Sequence, residues 1–139
     1  MSAINFPDSP TLNDEFSVGG RTWKWTGVFW EFVGIGSTLV IVEKTASYSL
    51  VLSDKDKLVE MNSSGANNLT VPLNSSQAFP IGSQINILQT GTGQTTIVPV
   101  SGGVTINATP GLKLRAQWSS ATLIKRAENV WVLAGDLVL

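Results

Sequence analysis

From Met61 to Leu112 the chain carries no Asp, Glu, Lys or Arg. Within that stretch, apolar and β-branched runs (Thr70-Val71, Ile85-Asn86-Ile87-Leu88, Thr95-Thr96-Ile97-Val98) alternate with turns of Asn, Ser, Gly, Gln and Pro. The outer faces of soluble β-strands ordinarily carry charges, which keep the protein in solution and blunt exposed edges. Here Asn, Ser, Thr and Gln take that place. Such a surface is tolerable where strands are short and well paired, or where their outer faces meet another subunit. The stretch therefore reads as rigid β-scaffold before it reads as an active site.

Upstream, residues Ser2 to Asp14 hold Pro7, Pro10, Asp8, Ser9 and Asn13, a turn-rich segment with little to nucleate a helix. Glu15-Phe16-Ser17-Val18 and Arg21-Thr22-Trp23-Lys24-Trp25-Thr26 flank Gly19-Gly20. Two glycines between alternating runs predict a two-residue hairpin of primed type, because both central positions need positive φ. That register sets Phe16 opposite Trp23 and Glu15 opposite Lys24, an aromatic pair on one face and an ion pair on the other. Gly27 then leads into a third strand, Val28 to Val33, which completes a meander ending near Gly34-Ile35-Gly36.

The remainder is all-β. Strands are predicted over 38–43, 47–52, 57–61, 68–73, 84–89, 95–100, 104–108, 113–119, 121–126 and 130–134, with turn residues between them. Near the C-terminus, Leu112, Leu114 and Ala116 alternate with Lys113, Arg115 and Gln117, while Trp131 and Leu133 share a face. No long segment keeps a helical apolar period. The expected organisation is a Trp-rich β-meander module over residues 1–36, then a β-sandwich or β-roll domain over 37–139. Neither a fibrous repeat nor a coiled-coil stem is apparent.

Composition narrows the function classes. The 139 residues contain no cysteine, so disulfides and thiolate metal sites are excluded, and no histidine, the commonest general base and metal ligand. A net charge of −1 and a pI of about 5.2 give no reason to expect nucleic-acid or anionic-membrane binding. The first ten residues lack the apolar core of a signal peptide, and no run has the length of a membrane span. The expectation is cytosolic synthesis, with no membrane insertion and no cofactor.

Individual motifs are weak. Asp54-Lys55-Asp56-Lys57 opens like a calcium loop but lacks the glycine and terminal Glu of one, and is expected to be a solvated turn. Gly91-Thr92-Gly93 precedes a strand rather than the helix a dinucleotide turn requires. Asn62, Asn68, Asn74 and Asn107 match the glycosylation pattern by composition. Glycosidase-type pairs among Asp14, Glu15, Glu31, Glu43, Glu60 and Asp136 are not singled out by spacing, and no enzyme is expected. Trp23, Trp25 and Trp30 are candidate binding residues as a sugar-stacking platform, although a small meander needs its tryptophans for packing. Lys113, Arg115, Lys125 and Arg126 form the one basic cluster, in neighbouring predicted strands. They are candidates for an outward patch that contacts an acidic glycan or a partner subunit, with a solvated face as the alternative.

The N-terminal pattern Phe6-Pro7, Pro10-Thr11, Phe16, Gly20-Arg21-Thr22-Trp23-Lys24-Trp25-Thr26-Gly27 and Trp30-Glu31 resembles the short Trp-rich module of bacteriophage tail-fibre proteins. The segments from Tyr48, Lys57, Leu69, Phe79, Gly93, Gly111 and Trp131-Val132-Leu133-Ala134-Gly135-Asp136 resemble a β-domain of phage virion proteins, those of cyanophages among them. Together they cover nearly the whole chain. The resemblance implies a virion structural protein: a homotrimer attached to other virion proteins of the tail or capsid, in contact with a host surface glycan. A short tail fibre or tail-associated receptor-binding or adaptor protein is the first expectation. A capsid decoration protein is the alternative, and a glycan-binding or glycan-active protein the second.

Overall fold

In the computed structural model, which describes residues 3–35 and 38–139, the chain forms two units, Met1–Thr38 and Leu39–Leu139. The expected boundary between residues 36 and 37 lies outside the described residues. Gly19 and Gly20 take φ of 58° and 74°, the left-handed values a primed turn demands. They join β1 (Glu15–Val18) to β2 (Arg21–Trp25), with Phe16 opposite Trp23 and Glu15 opposite Lys24 as expected. No ion pair among the described residues joins Glu15 to Lys24. Both lie on the sheet's outer side, where holding two long side chains together gains little. Strand β3 (Trp30–Ile35) begins two residues later than predicted. Thr26 and Phe29 close a turn by backbone and hydroxyl hydrogen bonds, so Val28 and Phe29 are exposed turn residues.

The second unit is an all-β roll of two facing sheets with no α-helix among the described residues; its one helical turn is 3-10, Leu52–Asp54. Strands β4 (Ile41–Lys44), β6 (Leu58–Met61) and β8 (Gln84–Gln89) lie side by side and parallel in one sheet. Strands β5 (Tyr48–Ser49), β7 (Asn67–Val71) and β9 (Thr95–Pro99) do the same in the other. The chain thus passes from sheet to sheet at each step and winds in coils. Between the second and third coils both sheets keep an offset of 28 residues, Val59 beside Ile87 and Leu69 beside Ile97. The backbone repeats between these two coils although the sequence does not. Over residues 58–72 and their partners only Gly65 and Gly93 coincide; what recurs is inward alternation, not residue identity.

The corner explains the glycines of the third coil. Gly93 lies over the Gly65 backbone and Gly91 over that of Ser63, so closely that a side chain at either position would overlap the coil below. Inside the corner Thr95 donates from its backbone to the Gln89 amide oxygen (2.9 Å) and from its hydroxyl to Asn67 (2.9 Å). Asn67 in turn donates to the Gly65 carbonyl at 3.2 Å. All three side chains are buried and all are neutral, so the turn between sheets is satisfied without burying a charge.

Past β9 the winding ends. Strand β10 (Thr105–Ala108) lies parallel to β13 (Val130–Gly135) at the far edge of the first sheet. Strand β12 (Ser120–Ala127) joins β8 to β13, antiparallel to both. In the second sheet β11 (Lys113–Leu114) and β14 (Leu137–Val138) extend β9. Leu50, Met61, Leu69, Ile87, Leu123 and Trp131 are among the residues of the single core between the sheets. The predicted strand 113–119 stops at Leu114 because the chain must turn there to change sheets. The predicted strand 47–52 stops at Ser49, where Val51 and Leu52 enter the 3-10 turn.

Candidate functional site

Trp23, Trp25 and Trp30 come together as expected, on one face of the first sheet, but as the centre of a ring cluster. Phe6 crosses from the N-terminal segment and sits 5.4 Å, centroid to centroid, from each of Phe16, Trp23 and Trp30. It stacks on Trp30 at an interplanar angle of 17° and meets Trp23 edge-on at 87°. Trp25 packs against Trp30, and Phe32 against Trp23. All three tryptophans are half-buried. One face of Trp30, the kind of surface a pyranose would stack on, is occupied by Phe6. The cluster has the geometry of a small core.

The four basic residues are not brought into one patch. Lys113 belongs to β11 in the five-stranded sheet, whereas Lys125 and Arg126 belong to β12 in the six-stranded sheet. The turn that separates them is the one that ends β11. Lys125 corrects the outward reading outright. Its register beside Trp131 points it into the roll, where it is 2% exposed and its ammonium donates to the Asn74 amide oxygen and, at 2.6 Å, to the Phe79 carbonyl. Burial pushes its amine below the usual lysine value, with Glu128 opposing. The effect is to tie the loop that follows β7 to β12. Arg126 stays exposed at a bulge, and Lys113 reaches the Leu139 carbonyl at 3.3 Å. Arg115 forms a fork with Asp136, Nε to Oδ1 at 2.8 Å and an Nη to Oδ2 at 2.9 Å. That fork, with a Ser119 hydrogen bond, holds the Asp136 carboxyl below its ordinary range.

The Asp54–Lys57 segment is likewise not a wholly solvated turn. Asp54 is buried and accepts from the Tyr48 hydroxyl (3.0 Å) and the Val51 amide (2.9 Å), so it organises the 3-10 turn. Burial first, then the Asp54 hydrogen bond and charge, push the Tyr48 phenol up to about 12. Asp14 spends its carboxylate on the Thr11 amide and hydroxyl, and sits below its ordinary value because of them. Glu43 and Glu60 lie in register on adjacent strands, and Glu43 accepts from the Asn62 amide. Among the described residues no group of His, Cys, Asp and Glu is arranged to hold a metal ion. A shallow concavity of about 350 Å³ runs along β10 and β13, lined by residues such as Asn107, Thr109, Val132 and Ala134, none of them titratable.

Two surface features remain. The first is the outer face of the five-stranded sheet, where Asn68, Thr70, Thr96 and Val98 from the uncharged stretch stand in two rows on β7 and β9. The second escaped the sequence reading: Trp118, on the turn between β11 and β12, is 67% exposed. The available signal was its place in Gln117-Trp118-Ser119-Ser120, a large aromatic where the apolar alternation of β11 has already ended. No protein-family model matches the chain, and comparison with curated proteins returns no match.

Proposed function

We propose that the chain is a structural component of a phage virion, a short tail fibre or a tail-associated receptor-binding or adaptor protein that acts as a homotrimer. The observation that carries this reading is the pair of uncharged rows on β7 and β9 of the five-stranded sheet, Asn68 and Thr96 beside Thr70 and Val98, with Lys113 bordering Thr96 on β11. These rows of hydroxyls, amides and one apolar group can pack against other copies without stripping water from a charge, the main penalty on burying a polar surface, provided that Lys113, in register beside Thr96, stays at the rim of the contact. The coiled backbone adds rigidity without thiols, consistent with life outside a cell. The resemblance of the Trp-rich segment to tail-fibre modules supports the tail rather than another location. No catalytic step is assigned; of the candidate carboxylates, Asp14, Glu43 and Asp136 are each engaged in local hydrogen bonds.

Light scattering on purified protein at low and high concentration tests the assembly. A mass of three chains at both is expected, and substitution of Thr70 and Thr96 by Glu should dissociate it. A monomer throughout removes the trimer. Labelling of virions then tests the place. Few copies on tails are expected, whereas dense labelling of the capsid replaces the tail reading with capsid decoration.

A further inference from the structure

Trp118 combines two features that folding does not reward. Its ring stands in solvent, while Trp131 is buried in the roll and Trp23, Trp25 and Trp30 are half-buried in their cluster. Its backbone has a φ of +71°, a left-handed conformation that a bulky residue adopts only when its surroundings impose it. The surroundings do so from several sides. The Trp118 amide donates to the Gln89 carbonyl at 2.6 Å, and the Ser119 amide to the Ala116 carbonyl at 3.0 Å. The Ser119 hydroxyl accepts from the Ala116 amide (3.0 Å) and donates to Asp136 (2.6 Å). Gln117 donates from its side chain to the Thr90 carbonyl at 2.8 Å. Glycine at position 118 would relieve the backbone and expose no indole. The chain instead holds an indole out on a fixed turn.

We infer that Trp118 is the stacking platform of a carbohydrate-binding site, with the Arg115–Asp136 fork and Gln117 as its polar flank. An indole face suits the apolar C–H face of a pyranose, whose hydroxyls then need donors and acceptors at the rim of the ring. Arg115 lies three residues before Trp118, and both members of its fork are exposed enough to offer further N–H groups and lone pairs to solvent. A protein-contact anchor requires a different setting, an aromatic side chain ringed by other groups that exclude water. The neighbours of Trp118 along the turn are Arg115, Ala116, Gln117, Ser119 and Ser120, with no large apolar side chain among them. Because the turn is already braced, little ordering is lost when a sugar docks.

The site gives the glycan contact of the virion reading a location, yet the two fail separately. Virion attachment and chain mass do not depend on Trp118, and a free lectin would use the same turn. The test is an array of neutral, N-acetylated and acidic oligosaccharides probed with the full chain and with Trp118→Gly, Trp118→Ala and Trp118→Tyr. At least one class should be retained by the unmodified chain, lost tenfold or more in the Gly and Ala variants, and partly kept by Tyr. The Gly variant should also show a raised unfolding midpoint, which separates loss of the platform from loss of the fold. Absence of any retained sugar, or equal retention by Trp118→Ala, overturns the inference. So does a change of chain mass in the Trp118 variants without sugar binding, which would make the indole a protein contact.

Discussion

Gly93→Ala should be far more damaging than Gly65→Ala, although the two glycines occupy the same corner of successive coils. A methyl group at position 93 would overlap the Gly65 carbonyl and lie 2.8 Å from its nitrogen, against about 3.4–4 Å for ordinary contact. At position 65 the same group meets nothing within 4 Å. Relief at 93 requires the coils to part by about an ångström in a close-packed interior. Overpacking of that kind costs about 1–3 kcal/mol. Parting the coils also lengthens the Gly93 amide bond to the Ser63 carbonyl, now 2.9 Å, and the buried Thr95 hydroxyl bond to Asn67, also 2.9 Å. Losing one such bond adds about 1 kcal/mol. The expected destabilisation is therefore about 2–4 kcal/mol, set against about 5–15 kcal/mol for a typical domain. Gly65→Ala should stay within about 1 kcal/mol, with either sign, since Ala also restricts the unfolded chain. Urea unfolding followed by circular dichroism reads the difference as a shift in midpoint at constant slope. Equal and small shifts in the two variants would refute close coil-on-coil contact as the reason for glycine at 93.

Other perturbations follow from the same contacts. Tyr48→Phe should flatten the alkaline limb of the stability profile. A phenol held at about 12 in the fold and 10.0 when free contributes stability that is complete below pH 10 and is lost between pH 10 and about 12; the loss, at most about 3 kcal/mol, is read by unfolding at stepped pH, and an unchanged limb counts against the Tyr48–Asp54 bond. Lys125→Ala leaves the Asn74 amide oxygen and the Phe79 carbonyl without their donor, for a loss of about 2–4 kcal/mol. Its amide-exchange signature should appear first in the loop after β7, and uniform exchange would contradict the tie. Phe6→Ala uncovers Phe16, Trp23 and Trp30 together and should cost the first unit about 1–3 kcal/mol. The check is a red shift of tryptophan emission at low denaturant, and no shift would mean the cluster closes without Phe6.

The fold class was legible because period-two alternation and turn chemistry are local. Gly19-Gly20 placed a hairpin in register, and strand β8 was predicted with the observed limits. Strand partnership was not legible. The second and third coils pair residues 28 apart, and Leu58-Val59-Glu60 resembles Asn86-Ile87-Leu88 only in the apolar residue that points inward. Lys125 misled for a related reason: a lysine in an alternating strand reads as outward until its carbonyl partners, which come from distant loop positions, are known. The sequence showed the tryptophans of the first unit as a cluster but not Phe6 lying over them. Trp118 fell unremarked inside the strand expected over 113–119, since a positive φ leaves no mark on a side-chain pattern.

The equal offset of the second and third coils in both sheets also makes length a modular quantity. One further segment of 28 residues, inserted at the corner between β8 and β9, would add one strand to each sheet at the usual inter-strand spacing of about 4.8 Å, between β8 and β12 in one and between β7 and β9 in the other, where the new strands would take over those two registers. Growth by duplication of a coil would lengthen such a roll without redesigning its core or its ends. Deletion of the third coil should likewise shorten it to a chain whose cooperative unfolding still reports one roll.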